Sequence, residues 1–525
     1  MPPKRVLIVG AGAAGMSTAH HLSLSSKSFH ITLVDSASYC GGQAFSIPSD
    51  KARHGADWLN QGVQGGSHIF RHTLRLFERY GMPATPVNLQ VSFGKGDTFW
   101  SNVFPTRLVE RHAREIRRFK CLLTLVRWTE LFWALVPCAL FLKLFLFSRE
   151  FVDCMILPSL ALFLGTGNAT PSVPTIILER LFTSPTFGMW YPADVKSLIS
   201  NLPPMVVFPK FADFYGAWEA DLRSRGVDIR LNTEVTRIVS RSNEGVRVAL
   251  KARTPVADKH NPAGGDPDAP EIQEEFDELV LCTLADTSKS LLGKTARWIE
   301  RRVLGAAKFS DDITVTHWDS AYMERHYTNR FDPEQAVDAL SGTDQSERVA
   351  FGKTQFKPAY YIKEYKDRRK LEMCFDCSNY QAQFSGQEIP FDRHVFQTIF
   401  LNKKDEQSWD RSEIDKSKII REDWWHQLCH SWTHYLLVVP LLFLLQGHKH
   451  TWYAGSWTLL NAHEVAVLSG LAVAYRLGAG YPEEYEEDNL GLASFRAYLA
   501  LGHWVWYKPK RGKNKHELRR PRDEA

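Results

Sequence analysis

Residues 6 to 15 read Val6-Leu7-Ile8-Val9-Gly10-Ala11-Gly12-Ala13-Ala14-Gly15: an apolar, β-branched run ends in a glycine turn and passes straight into a helix-like segment, Met16 to Leu22. Strand, turn and helix in that order give the spacing G-x-G-x-x-G its meaning. Gly10 permits the tight turn, Gly12 lets the backbone approach a pyrophosphate, and Gly15 lets the helix pack on its strand. The opening amides of the helix, at Ala13 and Ala14, point at the phosphates, whose negative charge the helix dipole favours. A second strand, Ile31-Thr32-Leu33-Val34, leads to Asp35 and Ser36. A carboxylate roughly 20 residues past the glycines accepts hydrogen bonds from a ribose hydroxyl. The rival reading, a chance glycine-rich turn in another α/β protein, leaves the ordered run of strand, glycines, helix, strand and acid unexplained.

Outward from this fingerprint, the residues mark further elements. Gly41-Gly42-Gln43 forms a second glycine turn just after Asp35. Asp57 to Gly66 is rich in glycine and precedes an amphipathic run, Ile69 to Tyr80. Gly226 to Asn232 and Glu234 to Ile238 read as strand, turn and strand, Val246 to Leu250 continues the pattern, and Phe276 to Thr283 returns to the core after a loop rich in Pro, Gly and Asp, Ala252 to Glu275. Ile313 to Tyr435 reads as mixed strands and helices, with a polar loop near Asp332 to Ser346. Thr451 to Trp457 reads as a last strand ending in a turn, and Ala462 to Gly478 as a helix with small residues on one face.

In these motifs the chain resembles the flavin-containing amine oxidase superfamily, and within it the FAD/NAD(P)-binding amine-oxidase-like oxidoreductases of bacteria and fungi; Ser148-Arg149-Glu150-Phe151 through Leu157-Pro158 resembles a segment of those proteins. The family's second motif is Gly-Gly followed by Arg or another polar residue; Gln43 departs from the common Arg. The resemblance implies an α/β fold, with a Rossmann-like FAD-binding domain of glutathione-reductase or amine-oxidase type and an interleaved α+β substrate domain. It implies bound FAD, with Gly42 and Gln43 at the diphosphate or flavin, Val235 against the adenine, and the turn at Cys282 and Thr283 closing over the diphosphate. The turn at Gly455 and Ser456 would complete the flavin site, and the helix start at His463 and Glu464 would face the flavin's pyrimidine edge. Ser456 stands where the family often has an acid. Amine oxidases often use a lysine near the flavin, for which Lys353 or Lys357 is the candidate counterpart, neither of them aligned to it; no catalytic residue is assigned.

Size and composition bound the rest. The 525 residues suit about three average domains or two interleaved ones. A 44% hydrophobic, 23% charged composition reads as globular, and a net charge of only +5 gives no argument for nucleic acid. The first strand begins too early to leave room for a signal peptide, and eight cysteines are scattered without a disulfide-like pattern, so the expected compartment is the cytoplasm. Asn168-Ala169-Thr170 then reads as an accidental glycosylation motif. The expected division is an FAD domain from residues 1–64, 205–298 and 446–482, a substrate domain from 65–204 and 299–445, and a C-terminal extension from 483–525.

Three apolar segments stand out: Leu131 to Leu142, Phe151 to Gly165 and Tyr435 to Leu445. Each is shorter than the roughly 20 residues that span a bilayer, or is broken by charge or proline. Buried helices lining an apolar substrate cavity are the favoured expectation, with peripheral membrane contact as the rival. The aromatic and basic stretch from Trp504 through Arg522 suits an anionic membrane surface or a solubilising tail equally. His426, His430 and His434 recur at helical spacing, but neighbouring Trp424, Trp425 and Trp432 favour packing over metal. Cys374 and Cys377 lie in an extended-looking run, on opposite faces, and suit neither zinc nor redox work. Together the motifs lead to an FAD-dependent oxidoreductase acting on an amine or a small or lipid-like hydrophobic substrate. The alternatives are an isomerase or desaturase of unsaturated acyl or isoprenoid chains and a non-catalytic prenyl-binding protein of the GDP-dissociation-inhibitor type.

Overall fold

A parallel strand covered on both faces needs a continuous apolar run, and Val6 to Val9 supplies one: all four side chains are buried at the centre of a five-stranded parallel sheet. The computed structural model describes residues 2–25, 28–165, 167–184, 198–199, 202–254, 269–337, 343–367 and 370–508. The sheet consists of β1 (Lys4–Val9), β2 (Phe29–Val34), β3 (Asp228–Arg230), β4 (Glu278–Leu281) and β5 (Thr451–Tyr453), in the order β3-β2-β1-β4-β5 with every pair parallel. The helices that bear on the site and the surface are α1 (Ala13–Ser23), α2 (Arg71–Arg79), α3 (Ala113–Trp128), α4 (Phe211–Ser224) and α5 (His463–Leu477); α1, α2, α4 and α5 pack in the core of this sheet and α3 in that of a second sheet.

Small residues let α1 and α5 cross closely. A Cβ on Gly470 of α5 would come within 2.2 Å of the Ala14 carbonyl oxygen, and the Ser17 hydroxyl donates to the Val467 carbonyl at 2.8 Å. An aromatic layer covers the same region: Phe211, Phe214, Tyr215 and Trp218 of α4 are buried, and Phe77 of α2 meets Phe214 edge-on at 4.7 Å. An antiparallel meander, Thr233–Arg241, Val246–Ala252 and Glu271–Phe276, packs over the other face. Its third strand occupies the end of the stretch read as a loop; residues 255–268 of that stretch lie outside the described residues, as do 338–342 of the polar loop and the basic tail beyond Lys508.

The second large sheet has seven strands, in the order Ile419–Leu428, Phe309–His317, Phe396–Phe400, Leu371–Asp376, Tyr360–Glu364, Val91–Phe93 and Trp100–Ser101. All pairs are antiparallel except the fifth with the sixth. Helical segments between residues 107 and 183 share its core, where Trp100 stacks on Phe93 at 4.1 Å.

The three apolar segments, all expected to be buried helices, divide. Phe151 to Leu164 is buried almost throughout. The segment from Leu131 to Leu142 instead breaks at Pro137 into two short helices, Glu130–Trp133 and Cys138–Leu144. Trp133, Cys138, Phe141 and Leu142 are buried, while Leu131, Phe132, Leu135, Leu140 and Leu144 face solvent. A helix that is apolar all round carries no sequence record of which side its neighbours cover. In Tyr435 to Leu445, Val438, Val439, Leu442 and Leu445 are buried and Leu436 is exposed. Among the described residues no helix is long and apolar enough to cross a membrane.

Candidate dinucleotide site

The turn after β1 is built around positions where a side chain does not fit. Gly10 adopts φ +104°, and a Cβ there would meet the Cys282 carbonyl oxygen at 3.1 Å, across the carboxyl ends of β1 and β4. A Cβ on Gly15 would lie 1.8 Å from the Gly10 carbonyl oxygen, so glycine is what lets α1 leave the strand at this angle. Gly12 caps α1 with no capping side chain, and the first helical bond runs from the Met16 amide to the Gly12 carbonyl at 3.0 Å.

The second glycine turn lies against the first. The Gly41 amide donates to the Ala11 carbonyl at 2.9 Å, Gly12 and Gly41 form a parallel bridge, and a Cβ on Gly42 would approach Gly12 Cα to 3.2 Å. Two bare backbones therefore face each other where α1 begins, a surface that an anionic diphosphate can approach closely. Asp35 ties this floor together: one carboxylate oxygen accepts the Ala11 amide at 2.6 Å and the other the Ala37 amide at 2.8 Å. Each oxygen has a further lone pair for a ribose hydroxyl. Ser36, next in the chain, is half-buried.

The other residues expected at the cofactor fall into two groups. Val235, Thr283, Gly455 and Ser456 cluster around the same sheet edge. Val235 is buried with Val9 and Val34, and the Thr283 carbonyl accepts the Trp457 indole N–H at 3.0 Å. Gly455 adopts φ +138°; its amide donates to the Ser469 hydroxyl at 2.8 Å, and the Ser456 hydroxyl donates to Asn461 Oδ1 at 3.2 Å. Gln43 is exposed, with its amide 3.5 Å from the His426 carbonyl.

His463 and Glu464 do open α5, but their side chains turn towards α2. Glu464 accepts the amides of His72 at 3.0 Å and Thr73 at 2.8 Å and pairs with His72 Nδ1 at 2.7 Å, so it caps the first turn of α2 from another helix. Burial alone would raise its carboxyl; the charge and hydrogen bond of His72 and the two amides outweigh it and hold the group below the usual carboxylate range. His463 lies within hydrogen-bond distance of Thr73 Oγ1, 3.0 Å, and of the Tyr215 hydroxyl, 2.8 Å, and burial pushes its pKa down to about 4. The imidazole is therefore neutral at pH 7.

Three other expectations resolve plainly. Lys353 and Lys357 are both exposed; Lys357 lines an outer cleft of 790 Å³ with Gln90, Asn379 and His394. His426 lies in the strand Ile419–Leu428, whereas His430 and His434 follow it, so the three share no helix face. Cys374 ends up inside the strand Leu371–Asp376 and Cys377 opens a short helix.

Sequence reading missed a buried polar network between the second glycine turn and the seven-stranded sheet. A hairpin, Ala44–Pro48 with Trp58–Gly62, carries Asn60 and Gln61 into the core. Gln61 donates to Thr316 Oγ1 at 2.7 Å and Asp423 Oδ2 at 3.1 Å. Gln381 donates to Gln64 Oε1 at 2.8 Å and to the Asn60 carbonyl at 3.1 Å, and Gln64 donates to Gln397. The Oε1 of Gln61 is buried without a partner among the described residues. The available signal was amide side chains recurring in a glycine-rich stretch, too common in loops to single out.

Comparison with known proteins agrees with this geometry. A model of the NAD(P)-binding Rossmann-like domain matches residues 8–79. No curated protein sequence matches the chain. Among solved structures, putrescine oxidase bound to putrescine is similar at 11% identity, covering 91% of this chain and 99% of its own, with a TM-score of 0.58. Cyclohexylamine oxidase from Brevibacterium oxydans IH-35A matches at 11% identity over 91% and 100%, TM-score 0.55. A CLA-producing fatty acid isomerase from P. acnes matches at 15% identity over 90% and 98%, TM-score 0.56. The chain has the amine-oxidase type of fold, the α/β architecture that its glycine motifs implied.

Proposed function

We propose that the chain is an FAD-dependent oxidoreductase that removes a hydride from an amine or an apolar organic substrate. The observation that carries this reading is the pair of opposed glycine turns at the start of α1, which leave a backbone-lined cradle that any Cβ at Gly42 would fill. The residues fit the dinucleotide: Gly12, Ala13, Ala14 and Gly42 at the diphosphate, with Gly15 setting α1 against its strand, Asp35 at a ribose, Val235 at the adenine side, and Gly455 and Ser456 at the flavin end. FAD, when bound, supplies the electron-pair acceptor for hydride removal. The protein's part is to hold the diphosphate at the N-terminus of α1, keep water out, and position the substrate. The glutamine network, with Gln61 Oε1 buried and unbonded among the described residues, is the candidate for that last task.

A prenyl-binding chaperone has no use for two intact glycine turns, so that alternative is disfavoured. The isomerase alternative draws support from the fatty acid isomerase of the same fold, and product analysis separates it, since isomerisation leaves the flavin without net reduction. The deciding experiment is the visible absorption spectrum of the purified protein before and after denaturation. The expected result is flavin bands whose colour is released into solution. A colourless protein that takes up no added FAD would overturn the proposal.

A further inference from the structure

We propose that the surface formed by the end of α3 and the two short helices after it is a docking face for an anionic lipid bilayer. Of the 18 exposed large hydrophobic side chains among the described residues, eight fall within the 22 residues from Leu125 to Leu146. The most exposed are Leu131 at 90%, Trp128 at 82% and Leu146 at 82%. Trp128 and Leu131 belong to helices and Leu146 to the turn just past Cys138–Leu144, and the helices have packed inner faces: Trp133 meets Phe141 at 5.1 Å and Phe145 at 6.0 Å, which locks the two short helices side by side. Leu125, Phe132, Leu135, Leu140 and Leu144 complete the outer surface. A cluster of this kind on a water-facing surface marks an interaction site rather than ordinary scatter.

Charge decides the occupant. From Arg107 to Arg149 the chain has nine basic and three acidic residues, a net charge of +6 against +5 for the whole chain. The acids are largely engaged: Glu130 pairs with Arg180 at 2.6 Å, and Glu115 with His112 at 2.6 Å. Arg114, Arg117, Lys120, Lys143 and Arg149 are exposed and make no ion pair among the described residues. Leucines flanked by tryptophan, phenylalanine and free cations match an interfacial helix lying in the headgroup region of an anionic membrane. A second copy of the chain would bring the same excess of positive charge to the contact and be repelled. The helices are too short to cross, so the contact is peripheral.

The test is sedimentation of the full-length protein with phosphatidylcholine vesicles, with and without phosphatidylserine, at low and high salt. The expected result is binding that requires phosphatidylserine and weakens with salt. The double variant Leu131→Glu/Phe132→Glu and the triple variant Arg114→Glu/Arg117→Glu/Lys120→Glu should each bind at least about tenfold more weakly. All five positions are exposed, so an unchanged thermal midpoint certifies the fold of each variant. Absence of binding to both vesicle types, or equal binding by both variants and the parent, would overturn the proposal. So would self-association in light scattering that the double variant abolishes, since that assigns the face to a protein contact.

Discussion

Two glycines in one turn separate fold from ligand. Gly15 is filled from behind by the Gly10 carbonyl oxygen, so Gly15→Ala is expected to cost about 3 kcal/mol through backbone displacement. Gly12 has an ordinary φ of −73°, and the atom nearest to a Cβ there is Gly42 Cα at 3.9 Å. Gly12→Ala should therefore leave stability within about 0.5 kcal/mol while weakening FAD binding. Urea unfolding and FAD titration of both variants check this; equal loss of stability would refute the assignment of Gly12 to the ligand. At this scale the sequence was legible because glycine spacing reports backbone geometry directly. Asp35 was only half legible. Its place after β2 follows from the spacing, but its bonds to the Ala11 and Ala37 amides depend on how two turns meet.

Helices and strands were readable where their burial pattern was periodic, and misread where a pattern served two geometries. The spacing of His426, His430 and His434 fits a helix face, yet the first belongs to a strand paired along its length with Phe309–His317, in which Trp425 is buried and Trp424 exposed. The link between α2 and α5 was invisible for another reason: residues 72 and 464 are nearly 400 positions apart in the chain. Glu464 supplies the cap that Phe70, the residue preceding α2, does not. Glu464→Ala leaves two amides and His72 without their acceptor in a buried place and is expected to cost about 3 kcal/mol, with Glu464→Gln intermediate. Because α2 carries Arg71, Arg75 and Arg79, limited trypsin digestion should cleave there first in the alanine variant. Unaltered digestion would show that the cap is dispensable.

Across the whole molecule, buried neutral histidines set the acid stability. Burial pushes His20, His317, His430 and His503 to about 3 and His434 and His463 to about 4. The unfolded chain takes up protons at these groups below about pH 6.5, and the native state does not until far lower, so stability falls as pH drops through that window. Each of the six should contribute about 1 kcal/mol of loss between about pH 7 and about pH 5.5. His394, where Asp376 outweighs burial, works in the opposite direction. Urea midpoints across this range should decline steadily; a flat profile would contradict the buried neutral state. The α/β architecture was legible from its two terminal motifs, whereas the polar network was not, since it joins the stretch around residue 60 to strands more than 250 residues later. That wide separation also governs how the protein is made. β4 lies between β1 and β5, so the slot beside it stays empty until residues 451–453 emerge from the ribosome. At roughly 5–20 residues per second, the first glycine turn waits roughly 20 to 90 s for its sheet to be completed, so a dinucleotide that needs both that turn and the one at Gly455 could be captured only late in synthesis.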